Sequence, residues 1–443
     1  MEAPDTERGP GAAGPPEGGA AARSGPARGP SRRRLLTGAG AGAAGVVAGG
    51  LAGYFGGRAA AAPSASADGA GGAGGGGTDS DLTVPFYGPH QAGIATETQD
   101  RLAFGSLNVV DGASRADLRD LLRQWTRAAA AMTRGALVGE VSEAYAPPLD
   151  TGEAIGSPVS RLTITLGYGP SLFDRRFGLS GRKPAELAQL PPLPNEDLDP
   201  DSSGGDLCVQ ACSDDPLVAF HAVRNLARLG MGVVEHNWME LGFGKTSSTA
   251  AAQATPRNLL GFKDGTRNIK AEQTKLMDDY VWAGAESDQS WLRGGSYLVA
   301  RKIRMFIENW DRDYLRDQEN VIGRTKAGGA PLSGGTEFTT PDFASAAIPA
   351  RSHIRLASYE HNHGTRILRR GYSYTDGIDP QAGTLLGGLF FIAFMKSPGQ
   401  FIRLQQSLAA DALNEYIQHV GSAVFACPPG LRRGQYWGDD LFA

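Results

Sequence analysis

The order in which hydrophobic periodicity changes along this chain constrains its fold more than any single motif. Arg101–Val110 reads as a strand, and Ser114 with Asp117 gives a helix start in which each side chain satisfies the other's backbone donor. Leu118, Leu121, Leu122 and Trp125 then return at helical spacing. Arg161–Leu166 and Leu207–Cys212 alternate as strands, Asp215 and Pro216 open a helix carrying Phe220, Val223 and Leu226, and Met231–Leu241 closes the set as a strand. The order repeats with longer loops: strand Gly295–Ile307, short helix Trp310–Glu319, strands Ile367–Tyr374 and Leu389–Met395, helix Gly399–His419 and strand Ala423–Ala426. Strand, helix, strand, strand, helix, strand is the split βαβ pattern. The expected class is therefore α+β, with two ferredoxin-like halves over 84–250 and 251–443. Their antiparallel sheets, covered by helices, leave a wedge for a ligand between layers.

The 443 residues do not all belong to these halves, and much of the 62-residue glycine content lies near the amino terminus. Residues 1–30 hold Gly, Pro, Ala and charged residues without periodicity, too little apolar surface to fold. Ser31-Arg32-Arg33-Arg34-Leu35-Leu36, an apolar run from Leu35 to Phe55 and the small-residue stretch Ala59–Ala65 follow the order of a secretory signal, and the paired arginines resemble the twin-arginine class. Seven glycines between Gly38 and Gly53 make that run a weak membrane helix. Residues 1–65 are thus expected to be a twin-arginine signal with a disordered start, and 66–83 a flexible linker. The mature protein would be extracytoplasmic or secreted, with no stable membrane span. A net charge of -4 lacks the basic excess that phosphate backbones demand, so no nucleic-acid partner is expected.

Three cysteines, Cys208, Cys212 and Cys427, lack the clustered spacing of a zinc or iron–sulfur site. Cys208 and Cys212 would share one strand face as small hydrophobes, too far apart for a disulfide. Gly242-Phe243-Gly244-Lys245-Thr246 imitates the end of a phosphate loop, but Met239 stands where its first glycine belongs, which argues against nucleotide binding. His361 and His363 could hold a metal from alternate positions, although no third ligand is evident nearby.

Between the halves lies Gly261-Phe262-Lys263-Asp264-Gly265-Thr266-Arg267-Asn268, which alone would read as a turn. Downstream stand Gly294-Gly295-Ser296-Tyr297, Ile322-Gly323-Arg324-Thr325-Lys326, Ser352-His353-Ile354-Arg355-Leu356-Ala357 and Ile367-Leu368-Arg369-Arg370-Gly371-Tyr372. In this order and spacing, from about Val84 to the carboxyl end, they resemble the dye-decolorizing peroxidases, close to the secreted deferrochelatase-like branch. The resemblance implies one haem b per chain, held in the carboxyl-terminal half with His353 as proximal iron ligand. Asp264 would be the distal acid and Arg369 its neighbour. Leu389 and Phe391 would line the distal face, Asp411 would accept the other ring proton of His353, and Arg324 and Arg267 would pair with the haem propionates.

These roles are chemically coherent. One neutral imidazole holds the iron and leaves the opposite face open for peroxide. An aspartate can carry a proton between the two peroxide oxygens, and a guanidinium steadies the charge on the one that leaves. Without the motif, His353 would be one of seven histidines with equal claim, beside His90, His221, His236, His361, His363 and His419. Implied partners are hydrogen peroxide and dyes or other one-electron donors, with an iron or copper uptake partner outside the cytoplasm and a monomer or homodimer as assembly. Bulky donors would deliver electrons through Tyr372, Tyr374, Trp291 or Trp310. The branch resemblance keeps open a haem-handling deferrochelatase, and a haem-less binding module is a third reading.

Overall fold

The computed structural model describes residues 82–443, so the expected export signal and nearly all of the linker lie outside the described residues. Strands β1 (Arg101–Val109), β2 (Thr163–Tyr168), β3 (Leu207–Ser213) and β4 (Val234–Lys245) alternate with helices α1 (Arg115–Met132) and α2 (Pro216–Leu229). The Ser114–Asp117 capping box opens α1, and the Asp215 side chain accepts from the amides of Leu217 and Val218 at the start of α2. Trp125, fully buried, ties the two helices by donating its indole N–H to the Leu226 carbonyl at 2.7 Å. The second set comprises α3 (Thr274–Tyr280), β5 (Ser296–Met305), α4 (Ile307–Trp310), α5 (Leu315–Ile322), α6 (His353–Leu356), β6 (Leu368–Arg369), β7 (Tyr372–Ile378), β8 (Leu385–Met395), α7 (Pro398–Ser407), β9 (Ile417–Cys427) and α8 (Asp439–Phe442).

The nine strands form one sheet, in the order β5-β9-β2-β3-β1-β4-β7-β8-β6, and β5 also pairs with β8. The sheet therefore closes on itself, where the sequence suggested two separate layers. The joints are β4 to β7, with Phe243 opposite Ser373 and Lys245 opposite Tyr372, and β2 to β9, with Tyr168 opposite Ala426. Edge strands with unpaired backbone groups are unfavourable, and both outer strands of the first set, β2 and β4, meet a strand of the second. That also explains why β4 runs on to Lys245, past the expected end at Leu241. The imitation phosphate loop is thus largely a strand.

One face of the ring buries Leu102, Phe104, Cys208, Cys212, Tyr372, Tyr374, Phe390 and Phe425 in a single cluster. All three cysteines are buried and unpaired. Gly167 leaves room for this packing, since a Cβ there would stand 2.8 Å from Cys208 Sγ and from Phe425 Cβ. The opposite face packs against α1 and α2 through residues such as Ala103, Leu166, Val209, Trp125 and Leu226. No helix among the described residues is long and apolar enough to cross a membrane.

Three elements depart from the sequence expectation. The helix expected over Trp310–Glu319 is two pieces, because the Gln318 amide donates to the Trp310 carbonyl at 2.8 Å and closes a turn between them. The strand expected over Ile367–Tyr374 is interrupted at Arg370, although the pairing with β8 keeps one register from Leu368 to Thr375. The helix expected to run to His419 stops at Ser407, is followed by two short 3₁₀ turns, and gives way to β9 from Ile417. Between those turns Asp411 adopts extended backbone (φ -65°, ψ 130°).

Gly323 ends α5 in the left-handed conformation (φ +91°), and a Cβ there would stand 2.6 Å from Ile354 Cγ1, beside His353. Gly323→Ala should therefore lower stability by about 1–3 kcal/mol, read by urea titration of the full chain. A loss no larger than that of an exposed loop substitution would remove this constraint on α6.

Candidate active site

Outside the ring, a cavity of about 260 Å³ opens among α5, α6, α7, β5, β8, the Gly261–Asn268 segment and the turns before β9. Its wall is mainly apolar, with Leu260, Phe262, Met305, Leu389, Phe391 and Leu413 among its residues. Polar and charged side chains also reach it, His353, Asp411, Asp264 and Arg369 among them.

His353 begins α6, and its Nδ1 lies 2.6 Å from Asp411 Oδ2. A carboxylate can only accept, so Nδ1 carries the ring proton and Nε2 keeps its lone pair, with no hydrogen-bond partner among the described residues. Asp411 is 3% exposed, and its second oxygen accepts from the Leu413 amide at 2.9 Å. The helix break at Asp411 thus places this acid beneath His353. Burial works against a charged imidazole, but the Asp411 carboxylate outweighs it and raises the proton affinity of His353 above the ordinary value.

Asp264 and Arg369 meet in the same wall, with Arg369 Nη1 donating to Asp264 Oδ1 at 2.7 Å. Asn258 Nδ2 donates to the other carboxylate oxygen at 3.2 Å. Gly265, at φ +78°, takes the chain out of this turn close against Ser247. Arg369 sits on β6 opposite Ala393, and strand alternation sends its neighbour Arg370 to the buried side, where it bonds the Thr96 carbonyl and Gln99. The charge of each member of the Asp264–Arg369 pair is felt at His353.

Asn268, the last residue of the Gly261–Asn268 block, has no assigned role in the sequence reading, yet it brackets Arg369. Its Oδ1 accepts from the Arg369 amide and its Nδ2 donates to the Arg369 carbonyl, both at 2.8 Å. The same Nδ2 reaches the Ser248 carbonyl at 3.1 Å. The signal available in sequence was an asparagine at the end of a glycine-rich turn, which ordinarily reads as turn chemistry. Asn258 escaped for the same reason.

The remaining expected residues divide. Leu389 and Phe391 both line the cavity from the same face of β8. Arg324 is 5% exposed and donates from Nη1 to the carbonyls of Gly329 (2.6 Å) and Glu337 (2.9 Å), with no carboxylate partner among the described residues. Burial, and then the charge of Arg267, lower its pKa to about 10. Arg267 lines the cavity too, but it is committed to an ion pair with Glu360 at 2.6 Å and lies over the Tyr359 ring at 4.2 Å. His419 is the unexpected histidine here, placed on β9 instead of a helix. Burial and the neighbouring Arg301 hold it down to about 3, so it stays neutral. His361 and His363 acquire no third ligand, since no group of three potential metal ligands occurs among the described residues.

The Asn268 bracket yields a direct expectation. Asn268→Ala leaves the Arg369 amide and carbonyl without these partners in a buried setting, and should cost about 1–3 kcal/mol in chemical denaturation. Asn268→Asp keeps one acceptor and should recover part of it; equal losses in both variants would contradict the bracket.

A model of the Dyp-type peroxidase N-terminal region matches residues 91–244, and one of its C-terminal region matches residues 255–432. The deferrochelatase of Escherichia coli strain K12 is 37% identical over 369 residues, covering 81% of this chain and 86% of that protein. Among solved structures, the oxyferrous complex of DtpA from Streptomyces lividans superposes with a TM-score of 0.75 at 35% identity, covering 83% of this chain and 100% of that one. The DyP-type peroxidase of Cellulomonas bogoriensis gives 0.73 at 33% identity over 82% of this chain and 99% of its own. Both the sequence matched and the closed antiparallel sheet around which the cavity is built lead to one assignment: this chain belongs to the Dyp-type peroxidase family.

Proposed function

We propose that the protein is a haem peroxidase that reduces hydrogen peroxide and oxidises one-electron donors, with His353, Asp264 and Arg369 at its centre. One observation carries this reading. A histidine whose Nδ1 is held by a buried carboxylate at 2.6 Å shares an apolar cavity with an acid–arginine pair at 2.7 Å. The donor set fits haem b, one per chain, which needs one axial nitrogen, apolar walls for a flat macrocycle and cations for two carboxylates. His353 Nε2 would hold the iron, Asp411 would orient the ring and strengthen it as a donor, and Leu389 and Phe391 would keep water from the opposite face. When bound, haem supplies the iron that exchanges electrons with peroxide and with donors.

The work left to the chain is proton movement and charge stabilisation. Asp264 would take a proton from one oxygen of hydrogen peroxide and return it to the other, which would leave as water. Arg369 would steady the negative charge on the leaving oxygen, its guanidinium staying protonated. Asn258 holds the Asp264 carboxylate, and Asn268 holds the Arg369 backbone. Among the aromatic residues that could pass electrons from bulky donors, Trp310 contacts the cavity residue Phe262 at 5.8 Å between ring centroids. Tyr372 and Tyr374 lie inside the ring, and Trp291 packs against Phe173 and Tyr168 in the amino-terminal half.

We read residues 84–250 and 251–443 as two ferredoxin-like halves, a view supported by the orders β2-β3-β1-β4 and β9-β5-β8-β7 within the closed sheet. Residues 1–65 and 66–83 are read as export signal and linker on sequence grounds, which would deliver a folded protein outside the cytoplasm.

A second reading, release of iron from haem with the porphyrin left intact, is favoured by the name of the 37%-identical relatives. Incubation with haem separates the two: a metal-free intact ring as product supports deferrochelatase activity, whereas donor oxidation that depends on peroxide supports the peroxidase. In stopped-flow mixing with peroxide, Asp264→Asn and Arg369→Ala should each slow the spectral change by about 100-fold or more. Unchanged rates in both would end their assigned roles. His353→Ala should lose or strongly shift the Soret band; an identical spectrum would end its role as ligand.

A further inference from the structure

The charges around the cavity do not balance, and the imbalance names a residue. Five cationic side chains besides Arg369 line it: Lys263, Arg267, Arg301, Arg324 and Arg366. Three are neutralised within the protein, Lys263 by Glu337, Arg267 by Glu360 and Arg301 by Glu196, while Arg369 has Asp264. Arg324 and Arg366 have no carboxylate partner among the described residues. Arg366 also has no hydrogen bond from its guanidinium there; it lies over the Tyr359 ring, 3.6 Å from the centroid. Arg267 occupies the other contact of that ring, 4.2 Å from the centroid. A stacked guanidinium keeps its N–H edge free for a planar carboxylate.

We propose that Arg366, held on Tyr359, forms with Arg324 a two-guanidinium clamp for the two carboxylates of the cavity's ligand, and that Arg267 is not part of it. This rests on the haem reading above and replaces one of the two arginines suggested by the sequence. Arg267 also lies over Tyr359, and its charge is spent on Glu360. Leaving two uncompensated cations beside an apolar wall is unfavourable for the empty protein, and a dianionic flat ligand removes that penalty.

The test uses the full chain loaded with either hemin or iron protoporphyrin dimethyl ester, and follows ligand transfer to excess apomyoglobin. Arg366→Gln and Arg324→Gln should each speed hemin loss by roughly 10- to 100-fold, the scale of a lost charge-assisted bond. Neither should alter loss of the diester by more than about threefold, since an ester presents no charge to a guanidinium. Arg267→Gln should leave hemin loss nearly unchanged. Matching thermal melts of the ligand-free variants exclude misfolding, and Arg366→Lys, which retains charge without the planar guanidinium, should fall between.

Hemin loss unaffected by Arg366→Gln, or equally accelerated by Arg267→Gln, would overturn the clamp while leaving the haem reading intact. So would an effect of Arg366→Gln confined to the KM of anionic donors relative to neutral ones, which would place the residue at a donor site. A wild-type chain that takes up no hemin would overturn the haem reading and the clamp with it.

Discussion

The pairing of β4 with β7 is the contact on which the site depends. It is short, yet it carries the chain from one half of the sheet directly into the machinery of the other. On leaving β4, Thr246 donates its amide to the Gly371 carbonyl at 2.9 Å. The following Ser248 meets Asn268 and Lys270, and Thr249 meets Thr98. Arg369 stands two residues before Gly371 and is bracketed by Asn268. The seam that removes two exposed strand edges thus fixes the backbone from which the acid and the arginine project. In such an arrangement Arg369 inherits its position from sheet register, while Asp264 is carried by the turn held against the seam.

The imidazole side of the cavity is built by the opposite device, an interruption. A helix continuing from α7 would have carried Asp411 around its own axis; ending at Ser407 lets the chain place that acid in extended backbone under His353. The Asp411 side chain serves two ends at once, capping the next 3₁₀ turn through Leu413 and holding the imidazole. Loss of regular structure here is what creates a rigid contact.

Periodicity revealed most of the elements, because apolar alternation and helical spacing report burial directly. The closure of the sheet was not visible, since which edges meet depends on pairings far apart in the chain, such as Tyr168 with Ala426. Helix ends in the second half were misjudged where a side chain overruled backbone propensity, Gln318 in one case and Asp411 in the other. Of the site, His353, Asp264, Arg369 and Asp411 could be named from motif resemblance, and the structure brings them around one cavity. Asn258 and Asn268 escaped notice because asparagine within a few residues of a glycine turn has a common explanation in turn chemistry. That Arg267 is engaged by Glu360 could not be read from the sequence, since it depends on which acid the fold brings within reach.

The interior of the strand ring also bears on survival in an oxidising medium. Thiols react with peroxide as thiolates, and a protein that handles peroxide risks sulfenic acid formation at any accessible cysteine. Burial pushes Cys208 and Cys427 well above the usual thiol range, so neither ionises readily, and all three cysteines sit behind aromatic side chains of the ring. The sheet consequently sets its three thiols apart from the cavity, none of them among the residues that line it.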